Sequence, residues 1–213
     1  MSVVDIRPIS SDDPSVQTLS KVAEILATGK LVVAPTETRY GLLARADSRI
    51  ALESLFSAKG RPTSMPTAVF ARDIAEIGQF GLLSPLAATL ASAFLPGPLT
   101  LVLAARGNWE PQVVVQGRIG VRWSSSKVIT NLLRYIDFPI TATSANKSGM
   151  PDIANVLEAS EQFGGLVELY LDAGELKSVT STVVDCSGES IRILRPGAIS
   201  EERIAKAISK IGK

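Results

Sequence analysis

An α/β (α+β) fold, a single mixed sheet with flanking helices, is predicted by three features of the sequence. Short apolar runs alternate with segments whose apolar residues recur at helical spacing. The alternation continues from residue 15 to residue 211. No repeat, low-complexity tract or linker-like change of composition interrupts it, so residues 1–213 read as one domain, long enough for a substantial core.

The elements follow in order. Residues 15–28 place Val16, Leu19, Val22, Ala23 and Leu26 on one helical face, and Gly29 closes the segment. Residues 30–35 (KLVVAP) form a strand stopped by Pro35. Asp47 is placed to cap a helix carrying Ile50, Ala51, Leu52, Leu55 and Phe56, which Gly60 and Pro62 end. A second strand occupies 67–71 (TAVFA). Ser84 and Pro85 open a helix over 84–94, serine as N-cap and proline at the first helical position. Residues 99–105 (LTLVLAA) carry a buried-strand pattern and 119–123 (IGVRW) another. A helix around 125–135 leads through Pro139 into a strand at 140–143. Strands at 166–172, 181–185 and 191–195 follow. A terminal helix spans 200–211 and opens Ser-Glu-Glu-Arg, without the glutamate that would complete a capping box.

Composition removes several chemistries at once. Among 213 residues there is no histidine and one cysteine, Cys186. That excludes Ser-His-Asp and Cys-His catalysis, His-ligated metals, internal disulfides and CxxC zinc sites. Cys186, after a strand, reads as a packing residue. The chemistry is left to Lys, Arg, Ser, Thr, Asn and carboxylates, and no metal-ligating residue is expected. The formal net charge is +1, yet residues 30–61 carry six basic and three acidic side chains, and residues 106–147 six and two. A local excess of this kind focuses an anionic ligand in a cleft; it is equally compatible with scattered, solvated side chains. The first 20 residues contain Asp5, Asp12 and Asp13 and lack an apolar core, and no apolar run is long enough to span a bilayer. A cytoplasmic protein with no membrane partner is expected.

Five strands meet hydroxyl-, amide- or cation-rich segments: TETRYG (36–41), PGP (96–98), Arg122, TSANKSG (143–149) and RPG (195–197). In open α/β sheets ligands collect beyond the carboxyl ends of strands, so a shared anion site is expected in that crevice. Lys59 and Arg61 sit at a helix end, where they either complement its dipole or clamp a phosphate. Ser144 and Asn146, two residues apart in an extended segment, are able to face one side. No Walker A or strand-linked GxGxxG sequence is present.

Seven segments in order, PTETRYGL (35–42), KGRP (59–62), PGPLTLVL (96–103), IGVR (119–122), TSANKSG (143–149), STVVD (181–185) and ILRPGAIS (193–200), resemble the YrdC-like family that includes the threonylcarbamoyl-AMP synthases. The resemblance covers about residues 15–205. It implies a twisted sheet around a positively charged concave cavity. It also implies condensation of L-threonine, bicarbonate and ATP, with Mg²⁺ on the phosphates, into threonylcarbamoyl-AMP and pyrophosphate. A tRNA-modifying threonylcarbamoyl transferase would then carry the group to position 37 of tRNA. By motif matching, Lys59, Arg61, Ser144 and Asn146 are the catalytic set. Thr36, Thr38, Thr143 and Ser181 line the substrate site, and Arg122 and Arg195 reach the threonine carboxylate or the phosphates. Such a reaction aligns anions and cancels their charge, which needs no histidine.

The chain departs from the family pattern at three places. Arg39 replaces a small apolar residue. Trp123–Ser126 lack the Pro and His that often follow the arginine, and 174–180 (GELKSVT) lacks a common glycine. A paralogue forming a related carbamoyl or acyl adenylate is therefore an alternative. So is a protein that binds tRNA or double-stranded RNA, or associates with the ribosome, without this activity.

Overall fold

Alternation along the strands decides which face of the sheet is core and which is open. A computed structural model of the chain describes residues 4–209. In chain order these form β1 (Ile6–Pro8), α1 (Val16–Ala27), β2 (Val32–Pro35), β3 (Tyr40–Leu43), α2 (Arg49–Lys59) and β4 (Ala68–Phe70). Then come α3 (Ile74–Phe80), α4 (Pro85–Phe94), β5 (Leu99–Ala104), β6 (Val114–Val115), β7 (Arg118–Arg122) and α5 (Lys127–Leu132). The chain continues with β8 (Thr141–Ser144), α6 (Val156–Phe163), a 3₁₀ turn at Gly164–Leu166, β9 (Leu169–Asp172), β10 (Thr182–Asp185), β11 (Arg192–Arg195) and α7 (Glu201–Ile208). The part of the expected terminal helix at 210–211 lies outside the described residues.

The strands join one mixed sheet in the order β1-β9-β2-β3-β8-β4-β7-β5-β10-β11, with β6 paired to β7. Pairs β1·β9, β2·β9, β4·β7 and β5·β10 are parallel; the others are antiparallel. β8 is the hinge between halves: it pairs with β3 through Thr143 and Ser144, and with β4 through Thr141 and Ala142.

The halves differ in cover. On β2, Val32 and Ala34 pack with Leu19, Val22 and Leu26 of α1 and Ile129 of α5 on one face. Leu31 and Val33 pack with Leu55 of α2 and Val156 of α6 on the other. A strand covered on both faces reads as a continuous apolar run, which is what VVAP is. In the second half, Leu99, Leu101 and Leu103 of β5, Ile119 and Val121 of β7, and Val184 of β10 form one core with Ile77, Leu90 and Ile204 from α3, α4 and α7. Burial of each of these leucines stabilises the fold by roughly 2 kcal/mol. Their alternate neighbours, Thr100, Val102, Gly120, Arg122 and Val183, point away from that core.

Helix ends obey the polar signals with one exception. The hydroxyls of Ser15, Ser84 and Ser200 accept from the main-chain N–H of Thr18, Ala87 and Arg203. The cap of α2 is Ser48, whose hydroxyl accepts from Ala51 N–H, and not Asp47. Asp47 instead accepts from Arg45 Nε at 2.7 Å, so its carboxylate is already engaged one residue too early for the cap. Residues 36–41 are likewise not all loop: Tyr40 and Gly41 begin β3, which pairs antiparallel with β2. Strands β1, β3 and β6 and helices α3 and α6 are additions to the sequence reading.

Candidate functional site

A cavity of about 370 Å³ occupies the open face. That volume lies within the range that holds a small-molecule ligand. β5 contributes Thr100 and Val102, β7 contributes Arg118, Gly120 and Arg122, and β10 contributes Val183 and Asp185. The site therefore rests on the sheet and is not confined to a crevice beyond the strand ends. The reason lies in the pleat: LTLVLA alternates core leucines with Thr100 and Val102, and that second row forms part of the cavity wall. Of the five polar segments, PGP is absent from the wall. It starts β5 instead, Gly97 N–H donating to Trp123 O at 2.9 Å and Thr182 N–H to Pro98 O at 3.0 Å.

Thr36, Thr38, Arg61, Arg122, Thr143, Ser144, Ser181 and Arg195 all line the cavity. Lys59 and Asn146 stand immediately behind the wall. Lys59 ends α2, where Gly60 adopts φ 59° and reverses the chain in a left-handed cap. The buried Lys59 Nζ donates to the carbonyls of Ser144 at 2.5 Å and Asn146 at 2.6 Å. Ser144 Oγ donates to Asn146 Oδ1 at 2.5 Å, and Asn146 Nδ2 donates to Met150 O at 2.6 Å. The two paired motifs are thus one construction: lysine and asparagine shape the turn that presents Ser144. Arg61 donates from Nε and Nη2 to the carbonyls of Met65 and Pro66, both at 2.7 Å, which orders its own loop.

At the other wall Arg195 Nη2 donates to Ser181 O at 2.8 Å and to Ser181 Oγ at 3.1 Å. Ser181 Oγ lies 3.2 Å from Thr100 Oγ1. Gly197 permits this arrangement, because a Cβ there would stand 2.4 Å from Thr180 O and 2.6 Å from the Ser181 carbonyl carbon. Arg122 is anchored by Glu37: its Nη2 donates to Glu37 Oε1 and to Thr38 Oγ1, both at 2.8 Å, and Ser124 Oγ donates to Glu37 Oε2. Sequence motifs alone do not single out Glu37 or Ser124. Glu37 sits inside the threonine-rich motif, and Ser124 lies in the departing segment 123–126.

The electrostatics agree with an anion site. Burial pushes Lys59 down to about 7, aided by repulsion from Arg61 and opposed by Asp152. Burial lowers Arg61 too, with Arg195 adding repulsion. Arg195 is lowered by burial, with Asp152 opposing and Arg122 adding to the effect. Cations that depress one another in a partly dry cavity are stabilised by an incoming anion. Cys186 is buried in the second core and its thiol is pushed up to about 12 by burial, as a packing residue would be. For Mg²⁺ the donor set is poor: among the described residues no three His, Cys, Asp or Glu side chains converge. The acid on the wall, Asp185, is already paired with Arg118 at 3.5 Å and Arg192 at 3.4 Å. The residues present make no cage for the ion.

Fold and site together define an α/β domain with a cationic, ligand-sized cavity on one face of its sheet. Residues 24–197 match the Sua5/YciO/YrdC family model, described as telomere recombination. The chain belongs to this family. It is 38% identical over 196 residues to a threonylcarbamoyl-AMP synthase of Pyrococcus abyssi, covering 89% of this chain and 56% of that protein. A Bacillus subtilis threonylcarbamoyl-AMP synthase is 32% identical over 207 residues, covering 95% of this chain and 59% of the relative. The crystal structure of P. abyssi Sua5 complexed with L-threonine superposes with a TM-score of 0.88 at 32% identity, over 96% of this chain and 61% of that one. The chain thus spans less than two thirds of the length of these relatives.

Proposed function

We propose that the protein is an L-threonylcarbamoyladenylate synthase, an enzyme of the nucleotidyltransferase class. It condenses L-threonine, bicarbonate and MgATP, the metal arriving with the triphosphate. The observation that carries this reading is the convergence of Arg61, Arg122 and Arg195 on one cavity without any histidine. Identity to synthases from an archaeon and a bacterium supports it.

The amine nitrogen of threonine adds to the carbon of bicarbonate, the N–C bond forms and water leaves, giving N-carboxythreonine. A carbamate oxygen then attacks the α-phosphorus of ATP, and the bond to the bridging oxygen breaks as pyrophosphate departs. The attacking group is already an anion, so the protein's task is alignment and charge cancellation. Arg122, held by Glu37 and Thr38, takes the amino-acid end. Arg61 and Arg195 meet phosphate oxygens across the cavity. Ser144, presented by Lys59 and Asn146, and Ser181 with Thr36, Thr38 and Thr143 supply hydrogen bonds.

The product is a mixed anhydride, prone to hydrolysis, and its natural consumer is a tRNA-modifying threonylcarbamoyl transferase that passes the group to position 37 of tRNA as AMP leaves. Among the described residues no helix is long and apolar enough to cross a membrane. We read residues 1–213 as one domain acting in the cytoplasm. Pyrophosphate release by the pure protein tests the activity: it should require threonine and bicarbonate together. Release with another amino acid but not threonine would favour a related adenylate-forming enzyme. Salt-sensitive RNA binding without release would favour the RNA-binding alternative.

A further inference from the structure

Two buried nitrogens beside the cavity lack a hydrogen-bond partner among the described residues, Nε of Arg122 and Nε of Arg39. Both side chains line the cavity. A continuous set of bonds runs from the Arg122 side chain to the main chain of Arg39. Arg122 Nη2 donates to Thr38 Oγ1 at 2.8 Å, Thr38 Oγ1 lies 3.0 Å from Thr36 Oγ1, and the Thr36 hydroxyl donates to Arg39 O at 2.7 Å. Arg122, only 8% exposed, has its charge matched by Glu37 at 2.8 Å. Arg39 has no carboxylate partner among the described residues; its Nη1 donates to Leu176 O at 2.6 Å. The cavity wall therefore carries an uncompensated guanidinium charge at Arg39 and an unmatched donor on each of the two arginines. A buried donor left unmatched is costly, so two such arginines on one cavity favour a ligand with two separate acceptor groups.

N-carboxythreonine is such a ligand, since it bears an α-carboxylate and a carbamate carboxylate. We infer that Arg39 holds the carbamate carboxylate while Arg122 holds the α-carboxylate. The inference rests on the functional reading above. A carbamate reverts to amine and carbon dioxide once its carboxylate is protonated. A guanidinium on that group favours the anion and draws the condensation of amine with bicarbonate toward carbamate and water. Arg39 is then a substrate-holding residue whose effect falls on bicarbonate use, at a position where the chain departs from the family pattern.

The test measures pyrophosphate release against bicarbonate at saturating threonine and MgATP, for the wild type and for Arg39→Met and Arg39→Lys. Threonine binding in bicarbonate-free buffer is measured alongside by calorimetry. Arg39→Met should raise KM for bicarbonate about tenfold, with Arg39→Lys between the two and threonine affinity within about twofold of wild type. An unchanged bicarbonate KM in a folded Arg39→Met protein overturns the assignment. So does a parallel rise in the KM values for bicarbonate, threonine and ATP, which would make Arg39 a tether for residues 173–180 and nothing more. If Arg39→Met does not fold, the same two outcomes are read from Arg39→Lys. A wild-type protein inert with threonine and bicarbonate removes the functional reading itself, and this assignment with it.

Discussion

The ammonium of Lys59 donates to the main-chain carbonyl of Ser144 at 2.5 Å, across 85 residues of sequence. A second bond, at 2.6 Å, reaches the carbonyl of Asn146, so one buried side chain shapes the turn that delivers the Ser144 hydroxyl to the cavity. Lys59→Met keeps the stem and removes both donors. Two carbonyls in a buried turn then lose their donors at a cost of about 3 kcal/mol in stability, and with the Ser144 turn no longer held, pyrophosphate release should fall about 100-fold or more. Steady-state kinetics with a thermal melt will check this; turnover within twofold of wild type would remove Lys59 from the construction.

The same amine gives a pH signature. Folded Lys59 loses its proton near pH 7, whereas in the unfolded chain it does so near its ordinary value of 10.5. Between these values the unfolded state binds more protons, so this group makes stability rise with pH; its penalty is full below about pH 7. The difference in Tm between wild type and Lys59→Met should therefore grow in favour of wild type from pH 7 to pH 10. MgATP binding at pH 8 should restore the ammonium, read as uptake of close to one proton when calorimetry is repeated in buffers of different ionisation enthalpy.

Glu37 holds Arg122 on one side and Ser124 on the other. Glu37→Gln keeps the shape but leaves a nine-tenths buried guanidinium without its counter-charge. We expect a loss of about 3 kcal/mol in urea unfolding and a rise of about tenfold in the KM for threonine. The KM for ATP should change little, because the contacts proposed for the phosphates are Arg61 and Arg195.

Gly197→Ala tests the wall that carries Ser181. Its Cβ would collide with main-chain atoms of Thr180, Ser181 and Thr182 at 2.4 to 2.6 Å, none of which is a flexible side-chain end. A loss of about 3 kcal/mol is expected, roughly 6–12 °C in Tm for a chain of this size, with weakened nucleotide binding. Unchanged melting and unchanged nucleotide affinity would show that this segment is free to shift.

How far the sequence discloses this molecule varies by element. VVAP at 32–35 is legible because both faces are buried, and Ser84-Pro85 because cap and first turn are both written locally. β3 is obscured because Tyr40 and Gly41 follow directly on a polar hairpin loop, and its second partner, β8, lies about a hundred residues further on. The alternation Leu99-Thr100-Leu101-Val102-Leu103 held the clue to the cavity: a covered row and an open row on one strand. Arg61, Arg122, Ser144, Ser181 and Arg195 are marked by motif, and all five line the cavity. That Lys59 and Asn146 act from behind the wall, and that Glu37 and Ser124 orient Arg122, depends on contacts between residues some 85 positions apart, which local spacing does not encode.

Charge cancellation by arginines seated on the open face of the sheet is the centre of the proposed chemistry. The most direct test supplies ¹³C-bicarbonate, threonine and MgATP to wild type and to Arg61→Met, and weighs the adenylate formed. Wild type should yield threonylcarbamoyl-AMP carrying a single ¹³C, with one pyrophosphate per adenylate, and Arg61→Met should yield at least about 100-fold less while keeping its fold. An unlabelled adenylate, or near-normal labelled product from a folded Arg61→Met protein, would contradict it.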